Sequence, residues 1–314
     1  MTLVRNNTHA LIHGLKTISE NGSITDSRFG VTKEVLNYHI TIQRPLEKMI
    51  HLRGLDVNIP AQIIGGWWIL SGSNDISVLE QYLPQAQHRS DDDVTWRGGF
   101  GPRLRNWHGV DQIKEVLKII NSRPESRRAS IALFDPQFDF HQSKDVSTTN
   151  TIHFIVRDGK LHMSVDMRSA DILGHSVPGG LATNNLYEWS LLLEVMSFWS
   201  GYAAGNLHVY VHSLHLYEQD FQRGASIIEL FDGESIYEQK PLTKHSFSTS
   251  FDDFDATLEE FFATEQRLPS TNLEDLQSLG DPLLDSNLQY LWHFFHEQHP
   301  LHPRLQLSDL ASPV

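Results

Sequence analysis

The chain has 314 residues, with 25 Lys and Arg against 39 Asp and Glu, a formal net charge of −14, and no cysteine. It therefore has no disulfide, thiolate nucleophile or cysteine-ligated zinc site, and its acidic balance argues against a nucleic acid polymer as partner. A hydrophobic fraction of 39% and a charged fraction of 20% are those of a globular protein able to bury a substantial core. No uncharged apolar run approaches the length of a membrane span and the N-terminus has no secretory signal pattern, so no membrane partner is expected and the expected location is cytoplasmic.

Residues 1 to about 24 are polar without sustained periodicity and read as an arm or a short helix. Leu36, Tyr38, Ile40 and Ile42 then alternate with Asn37, His39 and Thr41, a strand that Pro45 ends. Ala61 to Leu70 is an apolar helix despite Gly65 and Gly66, each of which costs roughly 1 kcal/mol relative to Ala. Asn74 to Leu83 reads as a second helix stopped by Pro84, and residues 85–93, ending in three aspartates, as a solvated loop. Asp111 to Asn121 is amphipathic, with Ile113, Val116, Leu117 and Ile120 on one stripe. It leads through Pro124 and Arg127-Arg128 into a strand over Ala129 to Phe134.

The stretch from Asp145 to Tyr217 carries the densest pattern. Leu161, Met163, Val165 and Met167 alternate with His162, Ser164, Asp166 and Arg168, giving a strand with one buried face and one chemically equipped face. At its end Arg168 and Ser169 offer a guanidinium fork and a hydroxyl to an anion such as phosphate. Leu186 to Gly201 is a helix apolar on most of its surface, and Leu207, Val209 and Val211 mark another strand. His208, His212 and His215 do not make a metal site, because their spacing across a strand and turn does not converge their side chains. Helices are expected over Asp255 to Gln266 and Leu288 to His296. The chain reads as one domain, with a core over 1–240 and a mostly helical extension over 241–314.

Several motifs recur in one order from Arg28 to Tyr217. They are WWILSGSNDI (Trp67–Ile76), FGPRLRNW (Phe100–Trp107), VDQI (Val110–Ile113), ESRRA (Glu125–Ala129), RDGKL (Arg157–Leu161), RSAD (Arg168–Asp171), Asn185 and SLHLY (Ser213–Tyr217). In these the chain resembles the thymidylate synthase family, and most closely the branch of the pyrimidine hydroxymethylases. The resemblance implies an α+β fold around a mixed sheet flanked by helices, a homodimer packed sheet against sheet, and a pyrimidine nucleoside 5′-monophosphate as ligand. It places Arg28, Arg168 and Ser169 on the phosphate, joined by Arg127 and Arg128 from the other subunit; read alone, that arginine pair is ordinary surface charge. It also places His215 and Tyr217 on the sugar, and Asn185 with Asp171 at the base. An Asn offers donor and acceptor to the O4/N3 edge, which leans toward uracil over cytosine.

The resemblance breaks where the family does its chemistry. Thr148 stands at the position of the nucleophilic cysteine, Gly65 at that of a glutamate, Phe100 at that of a tyrosine, and His153 at that of a glutamine. Residues 174–181 are also longer and richer in glycine than the family pattern. A threonine hydroxyl needs an adjacent base to become an effective nucleophile. Three readings stay open. The first is a diverged enzyme acting on the nucleotide with Thr148 and His153 as candidate catalytic residues, although His153 reads equally well as a core histidine. The second is a nucleotide-binding homologue without catalysis, acting as a sensor or partner subunit. The third is a folate-dependent methyl or hydroxymethyl transferase in which Thr148 or a water replaces the thiolate. A tetrahydrofolate derivative is thus a cofactor that the resemblance permits and does not require; the terminal ASPV faintly resembles the family's folate-closing tail.

Overall fold

Alternation at Leu161, Met163, Val165 and Met167 builds the centre of a mixed sheet, each of these side chains being at most 2% exposed. The computed structural model describes residues 2–52, 55–174, 180–239 and 247–297. Its strands are β1 (Thr2–Val4), β2 (Ser23–Ser27), β3 (Gly30–Ile42), β4 (Ser130–Ala132), β5 (Thr149–Arg157), β6 (Lys160–Met167), β7 (Ala170–Asp171) and β8 (Ala203–Tyr217). They lie in the order β1-β3-β8-β6-β5-β4, with β2 on β3 and β7 on β8. β8 runs antiparallel to β3 and parallel to β6, so the sheet is mixed.

The helices are α1 (Asn7–Asn21), α2 (Ile59–Leu70), α3 (Gly101–Arg105), α4 (Gln112–Ser122), α5 (Pro136–Asp139), α6 (Leu186–Ser200), α7 (Phe221–Leu230), α8 (Ile236–Gln239), α9 (Phe254–Arg267) and α10 (Pro282–Glu297). α1 packs on β3 and β8, α6 on β6 and β8, and α4 on β4 and β5. α6 is buried from Leu186 to Ser197 and stops at Gly201, whose φ of 73° is the left-handed conformation that glycine supplies without strain. No helix among the described residues is long and apolar enough to cross a membrane. The chain is α+β.

The N-terminal segment is more ordered than its polarity suggests. Asn6 caps α1 by accepting from the His9 amide, and Leu11, Leu15 and Ile18, at i, i+4 and i+7, are buried against the sheet. Gly14 lies so close to Ile172 that a β-carbon would collide with it. The helix expected over Asn74 to Leu83 is instead a short 3₁₀ turn at Ile76–Val78. The flanking backbone pairs with another segment, Ile76 donating to the Val94 carbonyl and Trp96 to that of Asn74. Residues 84–89 form a second 3₁₀ turn with Ala86 fully buried, so the expected solvated loop is partly inside. Leu36 is 63% exposed although it alternates with Tyr38, Ile40 and Ile42, because β3 takes a positive φ of 56° at Asn37 and leaves its regular pleat there. The glycine-rich residues 175–179 and the terminal LSDLASPV lie outside the described residues.

Candidate functional site

Between the sheet, α2 and the start of α6 lies a cavity of about 790 Å³. Arg28, Thr148, Arg168, Ser169, Asp171, Asn185, His215 and Tyr217 all line it, as do Gly65 and Phe100. The fold brings them together through register. β6 ends at Met167, which delivers Arg168 and Ser169, and β7 then pairs Asp171 with His215 of β8.

Arg168 is already engaged. Its Nε donates to the Ser147 carbonyl and its Nη2 to the Val146 carbonyl, each at 2.9 Å, while its backbone amide donates to the Thr148 carbonyl at 2.9 Å. The guanidinium thus holds the loop that presents Thr148. Arg28 Nη2 donates to the Lys144 carbonyl at 3.1 Å, and Arg89 pairs with Asp145 at 3.1 Å. Asp145 also accepts from Trp96 Nε1 at 2.7 Å, which fixes the start of the same loop. Among the described residues no carboxylate or imidazole hydrogen-bonds the Thr148 hydroxyl, so the structure shows no base activating it.

The other side of the cavity is apolar. Trp68, Ile69, Leu79, Leu83, Trp96 and Phe100 line it, with Trp68 and Trp96 ring centroids 6.1 Å apart.

Three residues named from the sequence lie off this cavity, two of them, Arg127 and Arg128, being expected at the other subunit's site. His153 is on β5 between Ile152 and Phe154, which are both fully buried on the helical side, so its ring points to the other face of the sheet. There its Nδ1 lies 2.6 Å from Ser130 Oγ, and burial lowers its pKa. Lying five residues after Thr148 does not bring it to the cavity, because successive strand residues face opposite ways. The acid/base position expected for His153 is therefore corrected: it does not line the site of its own chain. Arg127 and Arg128 are exposed just ahead of β4, at the sheet edge, and also lie off the cavity. The three histidines of β8 separate as well. His208 pairs with Thr41 at 2.9 Å, His212 with Asp166 at 3.2 Å, and only His215 of the three reaches the cavity.

Glu188 was not anticipated. It lines the cavity from the first turn of α6, is 6% exposed, and accepts from Asn184 Nδ2 at 2.7 Å and Asn185 Nδ2 at 3.0 Å. Burial pushes its carboxyl up to about 7, against the lowering effect of the Asn185 hydrogen bond. The signal was present in the sequence: an acid three residues after Asn185 on a helix apolar nearly all round. The other acid of that helix, Glu194, forms an ion pair with Lys48 at 2.6 Å.

The family model for thymidylate synthase matches residues 10–258. The chain is 30% identical over 235 residues to a deoxyuridylate hydroxymethyltransferase of Bacillus phage SP01, an alignment covering 71% of this chain and 59% of that protein. It is 28% identical over 285 residues to a deoxyuridylate hydroxymethyltransferase of Delftia phage PhiW-14, covering 87% and 76%. The matched span runs from α1 into α9 and takes in the whole cavity wall contributed by the sheet, α2 and α6. The chain belongs to the thymidylate synthase family.

Proposed function

We propose that the cavity binds a pyrimidine nucleoside 5′-monophosphate, of the deoxyuridylate kind named for the two phage relatives, and that the chain acts on it without a thiolate. The observation that carries this reading is the gathering of three kinds of group in one cavity. Arg28, Arg168 and Ser169 suit a phosphate dianion, His215 and Tyr217 a sugar hydroxyl, and the Asn185 amide a pyrimidine edge. In a chain of net charge −14, an anion needs such a local cluster of cations. A volume of about 790 Å³ is of the size of sites for small ligands. Among the described residues no carboxylate or imidazole bonds the Thr148 hydroxyl, and His153 is off the cavity, so the reading gives the reaction to other groups of the wall.

The apolar side of the cavity favours a second reading, one-carbon transfer from a tetrahydrofolate derivative with Thr148 or a water in place of the thiolate. Trp68, Trp96 and Phe100 would hold a flat heteroaromatic ring by stacking and apolar contact. The folate, when bound, would supply the carbon unit. In either reading a second copy of the chain packs sheet against sheet, and its Arg127 and Arg128 complete the phosphate site.

Calorimetric titration of dUMP, UMP, dCMP and CMP, with and without a folate, tests the proposal. Binding of one nucleotide, weakened strongly by Arg168→Ala, is the expected result. No binding by any of the four overturns it. Tight binding with no turnover under any condition would leave a nucleotide sensor rather than an enzyme.

A further inference from the structure

Asn185 closes a π-helical turn (Leu181–Asn185), and Glu188 follows three residues later on α6, a spacing that sets the two side chains on one helical face. Both line the cavity, at 5% and 6% exposed. The two carboxyl oxygens of Glu188 accept from neutral amides, those of Asn184 and Asn185. Burial makes such an acid keep its proton to unusually high pH, and donors that carry no charge offset this only in part.

The facing helix carries no acid. On α2, Gln62 Nε2 donates to the Thr183 carbonyl at 2.6 Å, and a β-carbon at Gly66 would lie 2.8 Å from Leu191 and 3.1 Å from Tyr187. Gly65, three residues on from Gln62, lies on the adjoining part of that helix face. It lines the cavity, and a β-carbon there would meet nothing within 4 Å. The room an acidic side chain on α2 would take is open, and an acid stands on α6 beside the amide that suits a pyrimidine edge.

We propose that Glu188 reads ring position 4 of the bound pyrimidine, donating as a neutral carboxyl to a 4-oxo group and accepting as a carboxylate from a 4-amino group. This inference rests on the nucleotide reading of the cavity. It makes base preference depend on pH: the uracil type is favoured while Glu188 holds its proton, and the cytosine type once it is ionised.

Other ionisable groups share the wall. α2 presents none there. β7 and β8 bring Asp171, His215 and Tyr217, and the end of β6 brings Arg168. β2, β3 and their turn add Asp26, Arg28 and Glu34; the 84–89 turn adds His88 and Arg89; the loop before β5 adds Lys144 and Asp145. Glu188→Gln leaves every one of these in place. The phosphate of the ligand, with its second pKa of about 6, is common to both nucleotides and cancels in the ratio of their affinities.

The experiment is calorimetric titration of dUMP and dCMP from pH about 6 to about 8.5, on the wild-type chain and on Glu188→Gln, with the expected midpoint near 7. In the wild type the dUMP:dCMP affinity ratio should fall about tenfold or more as pH rises across that range. In Glu188→Gln the ratio should be flat. A wild-type ratio independent of pH, or a slope that survives in Glu188→Gln, overturns this inference while leaving the nucleotide pocket standing. If neither nucleotide binds the wild type, the pocket reading and this inference fall together. The wild-type slope is informative without any variant, so a poorly folding Glu188→Gln would not shield the idea.

Discussion

Arg168 Nε donates to the carbonyl of Ser147 at 2.9 Å, and so a side chain suited to an anion also anchors the loop that carries Thr148. Hydrogen bonds to a charged donor contribute roughly 1.5–3 kcal/mol each. Arg168→Ala should then do two separable things. Nucleotide affinity should fall on the order of 10- to 100-fold. Amide exchange at residues 146–149 should also accelerate in the free protein, since the loop loses its tether. Arg168→Lys should restore little of either, because an ammonium cannot serve two carbonyls in the guanidinium's fork. Unchanged exchange in Arg168→Ala would show that the loop is held by its other contacts.

Two adjacent glycines on α2 should respond in opposite directions. A β-carbon at Gly65 meets nothing within 4 Å, and at Gly66 it presses on Leu191 at 2.8 Å and Tyr187 at 3.1 Å. Gly65→Ala should raise stability by up to about 1 kcal/mol through helix propensity alone. Gly66→Ala should lower it by about 1–3 kcal/mol, because α6 is packed nearly all round and has little room to withdraw. Thermal unfolding of the two variants side by side decides this. Equal shifts would mean that the contact between α2 and α6 is looser than its geometry.

The strands and the long helices were legible because each carries its own period. Met163 and Val165 alternate, and Ile113, Val116, Leu117 and Ile120 repeat on one stripe, whatever the rest of the chain does. α1 stays open as an arm or a short helix on sequence alone because its stripe is narrow, Leu11, Leu15 and Ile18 among polar residues, and Gly14 hides a close approach to the sheet. Asn74 to Leu83 looked helical locally, yet its backbone is claimed by residues 94–96, a partner that no local pattern announces. At the site, Arg168, Ser169 and Asn185 could be placed together from their motifs. His153 was misplaced by counting along the chain rather than by strand face. Glu188 falls outside the motifs quoted for the resemblance, and its burial on α6 is visible only once the helix is packed.

The buried pair Lys48 and Glu194 provides a test of packing below the site. Their side chains are 5% and 3% exposed and meet at 2.6 Å, which ties residue 48 to the middle of α6. Removing one partner takes the ion pair from the other in the core. Lys48→Met alone should cost about 3–5 kcal/mol, and adding Glu194→Leu should recover most of that loss. Urea denaturation of the two single variants and the double variant gives the coupling directly. A double variant no more stable than Lys48→Met would mean that other partners of Glu194 outweigh the lysine.

Burial of Glu188 also predicts a stability profile with a definite sign. Its carboxyl is raised from 4.5 to about 7 in the folded chain. Below pH 4.5 it is protonated whether folded or unfolded, and its contribution is then most favourable. Between 4.5 and 7 the unfolded chain releases the proton and the folded chain keeps it, so rising pH favours unfolding. Above the folded value the full loss is reached, about 3 kcal/mol relative to low pH. Glu188→Gln should remove this dependence. The unfolding free energy of the variant minus that of the wild type should therefore climb by about 3 kcal/mol between pH about 4.5 and about 8. Changed hydrogen bonds to Asn184 and Asn185 add only a constant offset and leave the slope untouched. Urea denaturation at a series of pH values reads that slope, and a difference flat in pH would show that water reaches the carboxyl in the folded protein.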